Sequence, residues 1–137
     1  MTTARDIMTR DVTCVGEKES LAEAARKMAE LNVGSLPICG EDNRLHGMLT
    51  DRDIVVKALA QGRNASDVTA SELAAGKPVT VGADDDVTEI LRTMSQHKVR
   101  RLPVIDGHRL VGIVAVADVA RALPDRPVGD LIDAISE

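Results

Sequence analysis

No phenylalanine, tyrosine or tryptophan occurs anywhere in the 137 residues. A core must therefore be built from Leu, Ile, Val, Ala and Met, and a hydrophobic content of 44% is enough for one. The missing rings also remove the platforms on which single-strand and RNA binders stack bases. A basic excess is missing as well. The net charge is −5, whereas grip on a phosphate backbone calls for a basic face. Nucleic acid is thus not an expected partner, and the acidic balance speaks for solubility. No apolar run approaches the roughly 18 residues of a membrane span. The opening, Met1 to Met8, lacks the apolar stretch of a signal peptide. The expected setting is the cytoplasm with no membrane partner, although export by a route that leaves no sequence mark stays open. Cysteine is scarce: only Cys14 and Cys39 occur, with no C-x-x-C pair. Two readings of them stand, as small buried hydrophobes or as a disulfide. His46, His97 and His108 form no metal-spaced pair with each other or with either cysteine. No Ser-His-Asp spacing, G-x-S-x-G or Walker loop is present. The expectation is a protein that is not an enzyme, with no metal site and no required cofactor.

What the chain does contain is itself, twice. Sliding the sequence by 66 residues lays Thr3 to Asp6 on Thr69 to Glu72 and Val15-Gly16 on Val81-Gly82. It also lays Met28 on Met94 and Leu36-Pro37-Ile38 on Leu102-Pro103-Val104. One residue is then lost, and Gly47 meets Gly112 and Asp53 meets Asp118. A unit this long, present only twice, favours a pair about a pseudo-twofold axis over a stacked array. Thr3-x-x-Asp6 and Thr69-x-x-Glu72 read as capping boxes opening short helices. Val12 to Val15 and Val79 to Val81 read as short strands. Ser20 and Asp86 cap helices whose apolar residues (Leu21, Ala24, Met28; Val87, Ile90, Met94) keep helical spacing. Leu36 to Cys39 with Leu45 to Leu49, and Leu102 to Ile105 with Leu110 to Val114, read as hairpins. A helix follows each, from Ile54 and from Val119. The fold class is α/β (α+β): two βαββα repeats, 3–60 and 69–123, joined by a polar linker over 61–68. A tail over 124–137 suits a short amphipathic helix. Neither repeat has enough apolar surface to stand alone, so the two are expected to bury their sheets together.

The repeated pattern Leu-Pro-Val/Ile, then Leu-x-Gly, two apolar residues, three of any kind and Asp, resembles the cystathionine β-synthase (CBS) domain. Two in tandem resemble a Bateman module, and the match covers residues 3 to about 123. The resemblance implies regulation more than chemistry: adenosine-containing ligands (AMP, ADP, ATP or S-adenosylmethionine) in clefts between repeats, and pairing as a homodimer. The opening from Thr2 to Met8, the cysteine pair and the run from Leu45 to Val55 further resemble stand-alone members tied to low-oxygen or dormancy stress. That likeness favours a bond between Cys14 and Cys39, which would add about 3 kcal/mol by loop closure. A reducing cytosol would oppose it.

The family's ribose signature is intact in the first repeat, at Thr50, Asp51, Arg52 and Asp53. A carboxylate can accept hydrogen bonds from both ribose hydroxyls, and Thr with the helix amides can hold a further polar group. Thr50-x-x-Asp53 is equally a plain capping box. In the second repeat Ala115 replaces the Thr while Asp118 remains, so hydroxyl partner and cap are both expected to be gone. Conversely, the second repeat carries Arg100 and Arg101 where the first has Gly34 and Ser35. By resemblance, basic residues there contact phosphate, for which arginine's planar fork is suited. The other reading is a solvated edge, or an ion pair with Asp84 to Asp86. Val79 and Val99 would supply an aliphatic slot for a base. One ligand cleft is therefore expected, from Thr50, Asp51, Arg52, Asp53, Val79, Val99, Arg100 and Arg101. Two functions follow: a nucleotide-sensing regulator, or a ligand-free interaction module working as a dimer with a protein partner.

Overall fold

The computed structural model describes residues 1–74 and 77–123; the expected tail helix lies outside them. The chain divides into two compact units. Thr13–Pro78 forms a contiguous unit, while Met1–Val12 joins the chain from Val79 onward in a split unit.

Helix α1 (Ala4–Ile7) opens the chain. The contiguous unit then runs β1 (Val15–Gly16), α2 (Leu21–Leu31), β2 (Ser35–Cys39) and β3 (Leu45–Thr50). Next come α3 (Asp51–Asp53), which continues as a π turn over Ile54–Ala58 and a 3-10 turn over Leu59–Gln61, and then α4 (Ala70–Leu73). The split unit repeats the series: β4 (Val81–Gly82), α5 (Val87–His97), β5 (Arg101–Asp106), β6 (Arg109–Ala115) and α6 (Val116–Ala122). Both sheets are mixed and three-stranded, in the order β1-β2-β3 and β4-β5-β6. The outer pairs β1–β2 and β4–β5 are parallel, and the hairpins are antiparallel. The opening strands are shorter than expected and sit at the end of the predicted runs, at Val15–Gly16 and Val81–Gly82.

Local chemistry explains these elements. The Ser20 hydroxyl accepts the Glu23 N–H at 3.1 Å, and the Asp86 carboxylate accepts that of Thr88 at 3.1 Å. Each satisfies an amide that the first helical turn leaves unpaired. Leu21, Ala24 and Met28 then share one buried face of α2, and Val87, Ile90 and Met94 one face of α5. Both helices stop on a residue in the left-handed conformation, Asn32 (φ 55°) and Lys98 (φ 53°). Register pairs Leu36 with Leu49 and Leu102 with Val114, so the buried strand residues meet the helix faces. Fully buried side chains such as Leu21, Ile38, Ile90 and Leu102 each stabilise by about 1.5–3 kcal/mol.

The short opening helices do not stay with the repeats they begin. In the split unit, the amides of Ala4 and Arg5 donate to the carbonyls of Asp85 and Ala83 at 2.9 and 2.8 Å. Thr9 and Ile113 exchange hydrogen bonds of 2.8 and 3.0 Å. Ala4 and Met8 are buried in the core with Ile90 and Val114. In the contiguous unit α4 is placed alike: Ala70 and Ser71 donate to Glu19 and Glu17 at 2.8 and 3.1 Å. Each repeat's opening helix is thus part of the unit built by the other repeat.

Candidate functional site

Thr50, Asp51, Arg52 and Asp53 sit at the corner where β3 runs into α3. The capping box is fully formed. The Thr50 hydroxyl accepts the Asp53 N–H at 3.0 Å, and Asp53 Oδ2 accepts the Thr50 N–H at 3.0 Å. Lys57, four residues on, places Nζ 3.2 Å from Asp53 Oδ1. Burial pushes the Asp53 carboxyl up, but the hydrogen bonds from Thr50 and Lys57 outweigh it and hold it below the usual carboxylate range. The side chain keeps 21% of its surface exposed. An ionised carboxylate has about four acceptor lone pairs, so capacity remains for a donor from outside. Asp51 closes the corner differently. Its N–H donates to the Gly34 carbonyl at 2.9 Å, and its Oδ1 accepts the Arg52 N–H at 2.8 Å. Its Oδ2 lies 3.1 Å from where a β-carbon on Gly34 would be. The small residue at 34 lets that carboxylate lie over the strand entry.

Val79, Val99, Arg100 and Arg101 belong to the split unit. Val79 and Val99 are half-buried against its core. The Arg100 carbonyl accepts the Val116 N–H at 3.0 Å, as Gly34 does for Asp51. Arg101 pairs with Ala115 across the hairpin. Both guanidiniums are exposed, and neither forms a salt bridge among the described residues. The acidic stretch weighed as their partner is otherwise engaged. Asp84 pairs with Arg5 at 3.4 Å, Asp85 accepts the Gly82 N–H at 2.8 Å, and Asp86 caps α5.

One expectation needs correction. The second repeat's cap is halved, not lost: Asp118 Oδ2 still accepts the Ala115 N–H at 2.8 Å. The return bond is missing because Ala115 carries no hydroxyl. The sequence reading also overlooked the cations beside each carboxylate, Lys57 on Asp53 and Arg121 on Asp118. Their spacings of four and three residues along a helix were the available signal.

Cys14 and Cys39 are joined as a disulfide, with Cα atoms 5.8 Å apart, tying the entry of β1 to the end of β2. Beside it, Lys27 Nζ donates to the Cys14 carbonyl at 3.1 Å and to Glu19 at 2.8 Å. Glu19 also accepts the Gly16 N–H. The Lys27 bond, then that of Gly16, holds its carboxyl below the usual range against burial. His46 is exposed, 3.5 Å from Glu17, and His97 ends α5. Among the described residues no group of three or more His, Cys, Asp or Glu side chains is gathered as a metal site. No described helix is long and apolar enough to cross a membrane.

The CBS domain profile matches residues 4–59 and 70–125. Hypoxic response protein 1 of Mycobacterium tuberculosis (strain ATCC 25618 / H37Rv) is 56% identical over 135 residues, covering 98% of this chain and 94% of that protein. The crystal structure of Hypoxic Response Protein I with two coordinated zinc ions is 58% identical with a TM-score of 0.83. It covers 90% of this chain and 100% of that one. The crystal structure of CBSX2 in complex with AMP is 25% identical with a TM-score of 0.77 and covers 89% and 96% of the two chains.

Proposed function

Because this chain belongs to the CBS-domain family, carrying two such domains in tandem, we propose that it is a regulatory protein without catalysis that senses an adenosine-containing ligand through Asp53. The observation that carries the reading is the state of that carboxylate. It is held ionised, anchored through one oxygen to the helix start, and partly open to solvent. A ribose presents two adjacent hydroxyls, and an anchored carboxylate is a matched acceptor for such a diol. Lys57 is a flexible point charge that can swing away as a donor arrives. Arg100 and Arg101, exposed and without ion pairs among the described residues, are the groups for a ligand's phosphate. CBSX2, a relative of this fold, holds AMP. The likeness to Hypoxic response protein 1 suggests a low-oxygen stress setting. Zinc, held by the Hypoxic Response Protein I structure, finds no gathered ligand set among the described residues. Pairing into a homodimer completes the proposal, and Val55, Val56 and Leu59 are large apolar side chains left exposed for it.

A thermal-shift series tests the ligand. AMP, ADP, ATP and S-adenosylmethionine are added to the wild type and to the Asp53→Ala and Arg100→Ala variants, each compared with its own ligand-free melt. At 100 times its dissociation constant a ligand adds about 2.7 kcal/mol. A shift that disappears in Asp53→Ala and shrinks in Arg100→Ala supports the reading. Unchanged melting with all of them at millimolar concentration leaves the ligand-free interaction module instead.

A further inference from the structure

The two repeats carry the same carboxylate at the same helix start, in different company. Asp53 keeps 21% of its side chain exposed, beside a lysine at 3.2 Å and a threonine hydroxyl. Asp118 keeps only 9%, while Arg121, on its Oδ1, is 71% exposed. The arginine is the solvent-facing member of that pair and the aspartate the covered one. Asp118 Oδ2 is held by the Ala115 amide. Each carboxylate thus has one oxygen on a backbone amide and the other on a cation of its own helix, and the two differ in their exposure and in that cation. Arg121 meets Oδ1 through Nη2 alone, at 2.5 Å against 3.2 Å for Lys57 on Asp53, and a guanidinium is more weakly hydrated than an ammonium and loses less side-chain freedom in such a bond. Ala115 adds no hydroxyl to help a ligand compete.

We propose that Arg121, aided by Ala115, seals Asp118 against ligand. The second repeat's carboxylate is then a structural group, and the chain takes one nucleoside, at Asp53, instead of two. The inference rests on the reading of Asp53 as the diol acceptor and adds what closes its counterpart. Arg121 is the specificity-determining residue, acting by occupying the acceptor that a sugar would need.

Isothermal titration with adenosine, which needs no phosphate contact, reads the stoichiometry. The wild type is expected to bind one adenosine. The A115T/R121A variant supplies the hydroxyl and removes the guanidinium, and is expected to bind two. Adding Asp53→Ala should abolish binding in the wild-type background and leave one site in A115T/R121A. One adenosine in both proteins overturns the inference and leaves the reading of Asp53 standing. One in the variant and none in the wild type supports the seal and removes the Asp53 reading. Two in the wild type, or none in either protein, overturns the inference. If the melt shows that A115T/R121A does not fold, Arg121→Gln alone serves, with the second site expected at weaker affinity.

Discussion

The contiguous and split units are one design executed with different fastenings. Each has a three-stranded sheet, an amphipathic helix of the same length and a short helix lent by the opposite repeat. The contiguous unit is tied covalently by Cys14–Cys39 and by the Lys27–Glu19 pair. The split unit has Thr80 and Ile105 where the cysteines would be, and Thr93 in place of the lysine. It relies instead on its N-terminal strap, with Arg5 between Asp84 and Asp106 and Met8 packed on Gly112. Covalent fastening frees a unit from its neighbours in sequence; a strap makes it depend on residues far away along the chain.

The largest test of that contrast removes the covalent tie. Cys14→Ser with Cys39→Ser, a pair 25 residues apart, is expected to lower stability by about 3 kcal/mol. Native-state hydrogen exchange should show faster local opening in the contiguous unit than in the split one. Two free thiols in the mass spectrum of oxidised wild-type protein would remove the basis of the contrast. The next test loosens the strap. A β-carbon on Gly112 would fall 2.5 Å from Met8 Sδ and 2.9 Å from the Thr9 carbonyl, whereas one on Gly47 would come no nearer than 3.1 Å to any neighbour, Ala74 Cβ. Gly112→Ala should cost about 2 kcal/mol by overpacking, and Gly47→Ala distinctly less, by denaturant titration. Equal losses would mean that the strap is no tighter than α4.

A smaller effect concerns the caps. Thr50→Ala should cost about 1 kcal/mol and Ala115→Thr should gain a similar or smaller amount, so that the helix starts become alike. Urea midpoints of the two single variants decide it. The smallest is a matter of acid. Glu19, Asp53 and Glu72 in the contiguous unit, and Asp6 in the split unit, are held below their ordinary values. Glu19 owes this mainly to Lys27, and Glu72 and Asp6 to the amides of Thr69 and Thr3. For Asp53, burial opposes the larger sum of Thr50 and Lys57 bonds. A depressed carboxyl contributes fully above its unfolded value, about 4, and loses that contribution as pH falls through the folded value. An acid titration followed by NMR amide signals should therefore show little change from pH 7 to about 5. Below about 4, the contiguous unit's signals should fade first.

Much of this was legible in the residues. The two-fold repeat, the helix faces of Leu21 to Met28 and Val87 to Met94, and the boxes at Thr3, Thr50 and Thr69 all use local spacing, which sequence displays directly. The partner of α1 was not legible. Its placement rests on backbone amides of Ala4 and Arg5 meeting carbonyls of Asp85 and Ala83, groups that every residue carries. The π turn over Ile54–Ala58 was equally hidden, since its apolar residues fit an ordinary helix as well. At the candidate site the residue types were readable, and the cations Lys57 and Arg121 could have been. The difference in exposure between Asp53 and Asp118 required coordinates.

The strap also sets a timetable for a chain emerging from the ribosome. The contiguous unit draws on one unbroken stretch of chain, residues 13–78. The segment from Thr2 to Thr9, made before them, has no seat until Ala83 to Val87 and then Ile113 appear. At bacterial or eukaryotic elongation speeds that interval is roughly 5–20 s. During it the apolar side chains of Ala4, Ile7 and Met8 are without their core. The segment from Thr2 to Thr9 is thus placed only after more than seventy later residues have been made, and the split unit cannot close before that segment returns to it.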